Sequence, residues 1–154
     1  MKKIEKKMRG LVPEKLFEKV FSLRHSGKKG VFGYGVMVVV DGKPVKYIPS
    51  FSYKKEDDSD VYRQTVDAGF WDGEVGEFAE VKFSPEAFHT KDIKYLQLLA
   101  NELNTAGLNY SILLVSFDNK ELIRFKLQRL GLWKKEDSFY LIGRDELFQW
   151  GMNS

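Results

Sequence analysis

Two apolar stretches decide the fold of this chain: GEFAEVKF at residues 76–83 and YSILLVSF at residues 110–117. Each has the length and the β-branched and aromatic content of a strand. Between them, apolar residues recur at helical spacing from about Lys91 to Ala106, and Gly107 follows as a typical helix-ending residue. The pattern therefore predicts a strand, a helix and a second strand in succession.

The residues after this unit predict a second helix and further strands. Asp118 and Asn119 are residue types that often begin a helix, and Gly131 ends the apolar periodicity that follows them. We expect a hairpin with arms at residues 133–136 and 139–143. Residues 145–150 are amphipathic, and we expect this tail to pack on the body of the protein or on a partner.

The segment before this unit predicts a strand-rich first half. Residues 31–40 are rich in valine, and the Asp-Gly pair at 41–42 is a strong hairpin signal. The returning arm is expected at residues 44–53, followed by a charged loop at 54–60. Residues 61–71 fit either a strand or a turn-rich crossing.

The N-terminal segment is basic and predicts a helix. Pro13 and Glu14 suit the first turn of a helix that the Ser-Gly pair at 26–27 ends. Residues 1–29 contain ten Lys or Arg and three Glu, a balance of +7 that leaves −4 for the rest of a chain of net charge +3. Such a segment is either a solvated helix face or a contact surface for nucleic acid or an acidic partner.

Composition bounds the remaining possibilities. The chain of 154 residues fits one domain, and its 43% hydrophobic content is enough for a core. The absence of cysteine excludes disulfides, thiolate metal sites and cysteine nucleophiles. His25 and His89 are too few for a histidine-rich metal centre, so no metal site is predicted. Since no apolar run could span a bilayer, we expect a cytoplasmic protein without membrane partners.

Landmarks in the second half occur in the order found in one enzyme superfamily. They are Pro85-Glu86 after a strand, Leu98-Leu99 in the helix, Asn119 after the next strand and Leu130-Gly131 at the end of the second helix. Over residues 77–143 this order resembles the C-terminal half of the GNAT superfamily of acyl-CoA N-acyltransferases. The resemblance implies an α+β fold, a mixed and mostly antiparallel twisted sheet flanked by helices. It also implies a single GNAT-like domain over residues 1–154, with a basic segment at 1–12 and the tail at 145–154.

The resemblance further implies where an acyl-CoA and an amine acceptor would bind. Two neighbouring strands would diverge near Phe83 and Ser111 to admit the cofactor. Glu80 would be the general base, with Glu77 as a substitute, although Glu80 also fits an ordinary outward-facing strand carboxylate. Tyr140 or Tyr110 would protonate the leaving thiolate. The residues expected to bind acetyl-CoA or another acyl-CoA are Phe83, Phe88, His89, Thr90, Lys91 and Asn119.

Two departures from the family pattern leave enzyme status open. The loop at residues 88–92, which would bind the pyrophosphate, has no glycine, and Lys126 or Leu127 stands where the family has its tyrosine. The alternative is a catalytically silent GNAT-like protein, similar to small internal proteins of phage virions. Such a protein would bind a protein partner through its basic N-terminus and aromatic tail and would be located in the virion.

Overall fold

The computed structural model describes residues 14–49 and 62–152 of the chain. The helices are α1 (residues 14–24), α2 (Thr90–Thr105), α3 (Glu121–Arg129) and α4 (Arg144–Met152), with a short 3-10 helix at Pro85–Ala87. The strands are β1 (Val31–Val36), β2 (Val39–Val40), β3 (Lys43–Pro44), β4 (Val66–Trp71), β5 (Val75–Lys82), β6 (Asn109–Ser116) and β7 (Phe139–Ile142).

Five strands form one mixed sheet in the order β1-β4-β5-β6-β7. The β1–β4 and β4–β5 pairs are antiparallel, whereas β5–β6 and β6–β7 are parallel. β2 and β3 form a separate antiparallel pair. The predicted α+β class, a mixed twisted sheet flanked by helices, is confirmed.

Each face of the sheet is covered by helices. Leu96, Leu99 and Leu103 of α2, with Ile123 and Leu127 of α3, pack against one face. The other face is covered by α1 and α4, whose buried residues include Phe17, Phe21 and Leu147. Alternate residues of β5 and β6 belong to opposite clusters, as the period of two in a strand requires. We call these the α2/α3 face and the α1/α4 face.

The central parallel pair is closed along its whole length. β5 and β6 are in register over eight residue pairs, from Val75↔Asn109 to Lys82↔Ser116. The pairing continues past β5, because the N–H of Phe117 donates to the carbonyl of Phe83 at 3.2 Å. The predicted divergence of these two strands is therefore wrong. Both strands carry apolar residues on both faces, so burial favours unbroken backbone hydrogen bonding between them.

The first half agrees with its turn signals. Asp41 and Gly42 have φ values of 50° and 77°, as a tight hairpin turn requires, although β2 and β3 have only two residues each. The uncertain segment at 61–71 contains strand β4. Residues 50–53 of the predicted returning arm and the predicted charged loop at 54–60 lie outside the described residues.

The predicted C-terminal hairpin is wrong. β7 pairs with β6 in parallel, and residues 133–136 contain no strand. The N–H groups of Leu132 and Trp133 instead donate to the carbonyl of Leu127, which ties this segment to the end of α3. The tail forms α4, which packs on the body through Leu147, while Arg24 lies over the ring of Trp150 at 4.3 Å.

Candidate functional site

The sheet opens between β4 and β5. Their residue pairs run from Trp71↔Gly76 only as far as Ala68↔Ala79, although β5 continues to Lys82. Beyond this point the side chain of Asp67 replaces the ladder, because its Oδ2 accepts the N–H of Val81 at 2.7 Å. A gap therefore lies beside the last residues of β5, one strand away from the predicted position.

An arginine fills this gap. Nη2 of Arg63 donates to both carboxylate oxygens of Glu80, at 2.7 and 2.6 Å. The same nitrogen lies 3.4 Å from Oδ1 of Asp67, and Nη1 lies 3.7 Å from Oδ1 of Asp92. Glu80 and Asp92 are fully buried, at 0% exposure, so one guanidinium bridges three carboxylates at the edge of the core.

A lysine and the start of α2 complete the cluster. Nζ of Lys82 lies 3.4 Å from Oδ2 of Asp92 and 3.9 Å from Oε1 of Glu80. Because Glu80 and Lys82 are two residues apart on one strand, they face the same side of the sheet. Oδ2 of Asp92 also accepts the N–H of His89 at 2.8 Å, whereas its buried Oδ1 has no hydrogen bond within the described part of the chain.

Carboxylates outnumber basic side chains at this cluster. Burial raises the pKa of Glu80 well above its ordinary value, and repulsion from Asp67 adds to the effect. Burial and Asp67 also raise the pKa of Glu14 on α1. Glu14 and Asp67 line a cavity of about 130 Å³ on the α1/α4 face. Additional positive charge at this cluster would therefore be stabilised by several carboxylates at once.

Carboxylates are the ligand type that Mg²⁺ prefers, and those of this cluster are paired with Arg63 and Lys82. Within residues 14–49 and 62–152, no three His, Cys, Asp or Glu side chains are grouped as they would be around a bound metal ion. Mg²⁺ does not require such a cage, because one or two carboxylates usually hold it while it keeps water and contacts substrate phosphate. Asp67 and Glu80 supply two such carboxylates on adjacent strands, and the unbonded Oδ1 of Asp92 is a third oxygen nearby.

The structure does not bring the two predicted catalytic residues together. Glu80 lies in the buried cluster and not in the outward position considered as its alternative. Tyr140 is 57% exposed and aligns with Leu113, whose side chain belongs to the α1/α4 face, opposite to Glu80. The carboxylate of Glu77 pairs with Nε of Arg24 at 2.9 Å and with Nε2 of His25 at 2.8 Å.

The predicted acyl-CoA residues are also dispersed, and their cofactor roles stay predictions. Phe88 is a fully buried core residue, and Phe83 is exposed at the end of β5. His89, Thr90 and Lys91 begin α2, where the carboxylate of Asp92 already accepts a backbone N–H. The side chain of Asn119 caps the next helix by accepting the N–H of Glu121 at 2.8 Å.

Four residues of this cluster were not predicted as site residues: Arg63, Asp67, Lys82 and Asp92. Part of the signal was present in the sequence. Glu80 and Lys82 are charged residues at alternate positions of an otherwise buried strand, and Asp67 lies on the strand that precedes it. Charged side chains on one face of a buried strand need partners, which marks such a strand as a candidate site.

No protein-family model, curated protein or solved structure matches the chain. No helix in residues 14–49 or 62–152 is both long and apolar enough to cross a membrane.

Proposed function

We propose that this protein is a divalent-metal-dependent phosphodiester hydrolase that acts on nucleic acid. One observation carries the proposal: Asp67 and Glu80 share Arg63, and Lys82 lies 3.9 Å from Glu80, where β4 and β5 part. Paired carboxylates that hold a cation, next to a lysine, suit the hydrolysis of a phosphate ester.

Each residue has a role that follows from its position. Asp67 and Glu80 would hold the cation, with Asp92 available through its unbonded oxygen. A bound divalent cation polarises phosphate oxygens and lowers the pKa of water. Lys82, whose side chain is 21% exposed, would place its ammonium against the phosphate. In the reaction a water oxygen bonds to phosphorus, one ester P–O bond breaks and the leaving oxygen takes up a proton.

Nucleic acid is the substrate that the charge distribution favours. The basic excess lies at residues 1–29, where the balance is +7 in a chain whose net charge is only +3. Lysine and arginine side chains bind a phosphate backbone without regard to sequence, in a manner that weakens with salt. Helix α1 of this segment contributes Glu14, which borders the site through the cavity it shares with Asp67.

Cleavage assays test the proposal. Supercoiled plasmid, labelled single-stranded DNA and RNA would be incubated with the protein and Mg²⁺ or Mn²⁺. We expect cleavage of at least one substrate that EDTA abolishes. We also expect Asp67→Asn, Glu80→Gln and Lys82→Met each to lower the rate by about 100-fold or more.

Two exposed residues outside the cluster provide matched controls for the loss of charge. Asp145→Asn and Lys134→Met remove a carboxylate and an ammonium from the surface and should leave the rate unchanged. Circular dichroism would show that each variant is folded. Cleavage that survives in folded Asp67→Asn and Glu80→Gln, or its absence from the wild type with every substrate and metal, would refute the proposal.

A binding role without catalysis is the second candidate. Leu16 of α1 and Phe148 of α4 are 49% and 68% exposed and line one apolar groove with Val20 and Leu147. Exposed apolar surface of this kind suits a protein partner, as in the virion-component alternative. Binding of acetyl-CoA stays a prediction that calorimetry would test, but the closed β5–β6 pair removes the opening on which that prediction depended.

A further inference from the structure

β1 is an edge strand of the five-stranded sheet, and one side of its backbone is open. Within residues 14–49 and 62–152 its one neighbour in the sheet is β4, with residue pairs from Val31↔Trp71 to Val36↔Val66. Backbone N–H and C=O groups along an open edge readily form hydrogen bonds with another strand. The outer edge of β1 is therefore a surface to which a further strand can be added.

The sequence of β1 lacks the features that normally keep an edge from pairing. Its six residues, Val-Phe-Gly-Tyr-Gly-Val, include neither a charged residue nor a proline. Gly35 has a φ of 59° and is missing from the pairs with β4, so the regular part of the edge is residues 31–34. The opposite edge strand, β7, has four residues and lies close in sequence to Lys134, Lys135 and Arg144. Short length and charge protect β7, whereas residues 31–34 of β1 carry no such protection.

Exposed apolar side chains lie beside this edge on both faces of the sheet. Four of them border an apolar cavity of about 520 Å³ that Leu103 and Phe78 of the α2/α3 face also line: Val31, Val36, Met37 and Val39. Val31 is 70% exposed. Phe32 is exposed as well, and its ring lies toward the α1/α4 face, 6.2 Å from that of Phe21. A partner that covers this edge therefore needs apolar surface on both of its faces.

We propose that the outer edge of β1 pairs with β1 of a second copy of this chain, antiparallel across a two-fold axis. A second copy supplies the same open backbone and the same apolar side chains on each face, so one self-complementary contact covers all of them. Residues 31–34 carry no charge, so the two strands meet without like charges opposite each other. The two five-stranded sheets then form one continuous sheet. This contact is independent of the proposed function, because it lies on the far side of β4 from the opening beside β5.

Analytical ultracentrifugation over a range of protein concentrations tests the pairing. We expect a monomer–dimer equilibrium for the wild type. Val31→Lys should weaken dimerisation at least about tenfold, because both copies then bring an ammonium group to one contact. Leu122→Lys is the matched control, since it makes the same kind of change at an exposed apolar residue of α3 and should leave dimerisation unchanged. Circular dichroism would show that each variant is folded.

Phe148→Lys separates the edge from the other exposed apolar surface, because Phe148 lines the groove between α1 and α4. Dimerisation that is lost in folded Phe148→Lys but retained in folded Val31→Lys would assign the contact to the groove and overturn the proposal. A wild type that stays monomeric up to about 1 mM would overturn it too. Cleavage of nucleic acid, measured separately, would still stand in both cases.

Hydrogen exchange of the wild type covers the case in which Val31→Lys does not fold. Peptides that contain residues 31–34 should exchange more slowly at concentrations that favour the dimer, because the outward N–H groups of β1 then have acceptors. Peptides from β7, at the other edge, should exchange at the same rate in monomer and dimer. Exchange of residues 31–34 that does not change on dimerisation would contradict pairing through β1.

Discussion

Asp67 accepts the backbone N–H of Val81 at 2.7 Å, at the point where the β4–β5 ladder ends. The side chain of Asp67 thus accepts a hydrogen bond of the kind that a backbone carbonyl accepts elsewhere in the sheet. Its second oxygen remains available to Arg63, at 3.4 Å. Asp67 therefore both ends the β4–β5 pairing and brings a carboxylate to Arg63.

This relationship predicts a difference between two substitutions of Asp67. Asp67→Asn keeps an oxygen that can accept the N–H of Val81, whereas Asp67→Ala leaves that N–H without an acceptor. We expect Asp67→Ala to be less stable than Asp67→Asn by about 1–3 kcal/mol. Urea denaturation of both variants measures the difference. Equal free energies of unfolding would show that the hydrogen bond contributes nothing to the sheet.

The buried imidazole of His25 predicts that its own contribution to stability decreases on mild acidification. Burial lowers its pKa from the usual 6.5, despite its hydrogen bond to Glu77. Because the unfolded state then binds the proton of His25 more readily, the contribution of His25 to stability falls as the pH drops from about 7.5 to 5.5, whereas the raised pKa of Glu80 acts in the opposite direction. In His25→Gln, which cannot titrate, the free energy of unfolding should fall less over this range.

An exposed histidine controls for the pH effect. His89→Gln alters the exposed histidine before α2 and should retain the full decrease of the wild type. The pKa of Glu77 is lowered from its ordinary value of 4.5, so this carboxylate affects stability only in more acidic solution, outside this pH range. A decrease that is identical in the wild type and His25→Gln would refute the assignment to His25.

The close contacts around Gly143 predict that one added methyl group destabilises the protein. A β-carbon at Gly143 would lie 2.5 Å from the carbonyl oxygen of Asp118 and 2.6 Å from the backbone nitrogen of Lys120. Since both are backbone atoms, Gly143→Ala should destabilise the protein by about 1–3 kcal/mol. Gly151→Ala is the control, because nothing lies within 4 Å of a β-carbon there and alanine favours the helix. Thermal melting curves compare the two variants.

The buried hydroxyl of Tyr95 predicts a substitution that does not destabilise the protein. Its ring is fully buried, and its hydroxyl has no hydrogen-bond partner among the described residues. Tyr95→Phe removes an unsatisfied polar group and nothing else, so we expect unchanged stability or a gain of about 1 kcal/mol. Chemical denaturation measures the change, with Leu99→Ala, expected to lose about 2–5 kcal/mol, as a reference for a buried residue of α2. A loss above 1 kcal/mol in Tyr95→Phe would reveal a partner for the hydroxyl.

The sequence by itself determined the local elements of this protein. Periodicity identified α2, α3, β5 and β6, because the spacing of apolar residues directly reports which side of an element is buried. Glu80 was singled out by the resemblance to the acyltransferase superfamily and not by this periodicity. Pairing was harder to predict. The parallel β6–β7 contact replaced the expected hairpin, because α3 forms the crossover that a parallel pair requires.

Only the tertiary structure decided what surrounds Glu80. Arg63 lies 17 positions before it in the chain, and Asp92 comes from the start of a different element. Local propensity carries no information about such partners, because the charges meet only after β4, β5 and α2 have packed. Packing likewise decided which pair of strands separates. β5 and β6 carry apolar residues on both faces and stay paired, whereas β4 carries at Asp67 a carboxylate that replaces its backbone bond to β5.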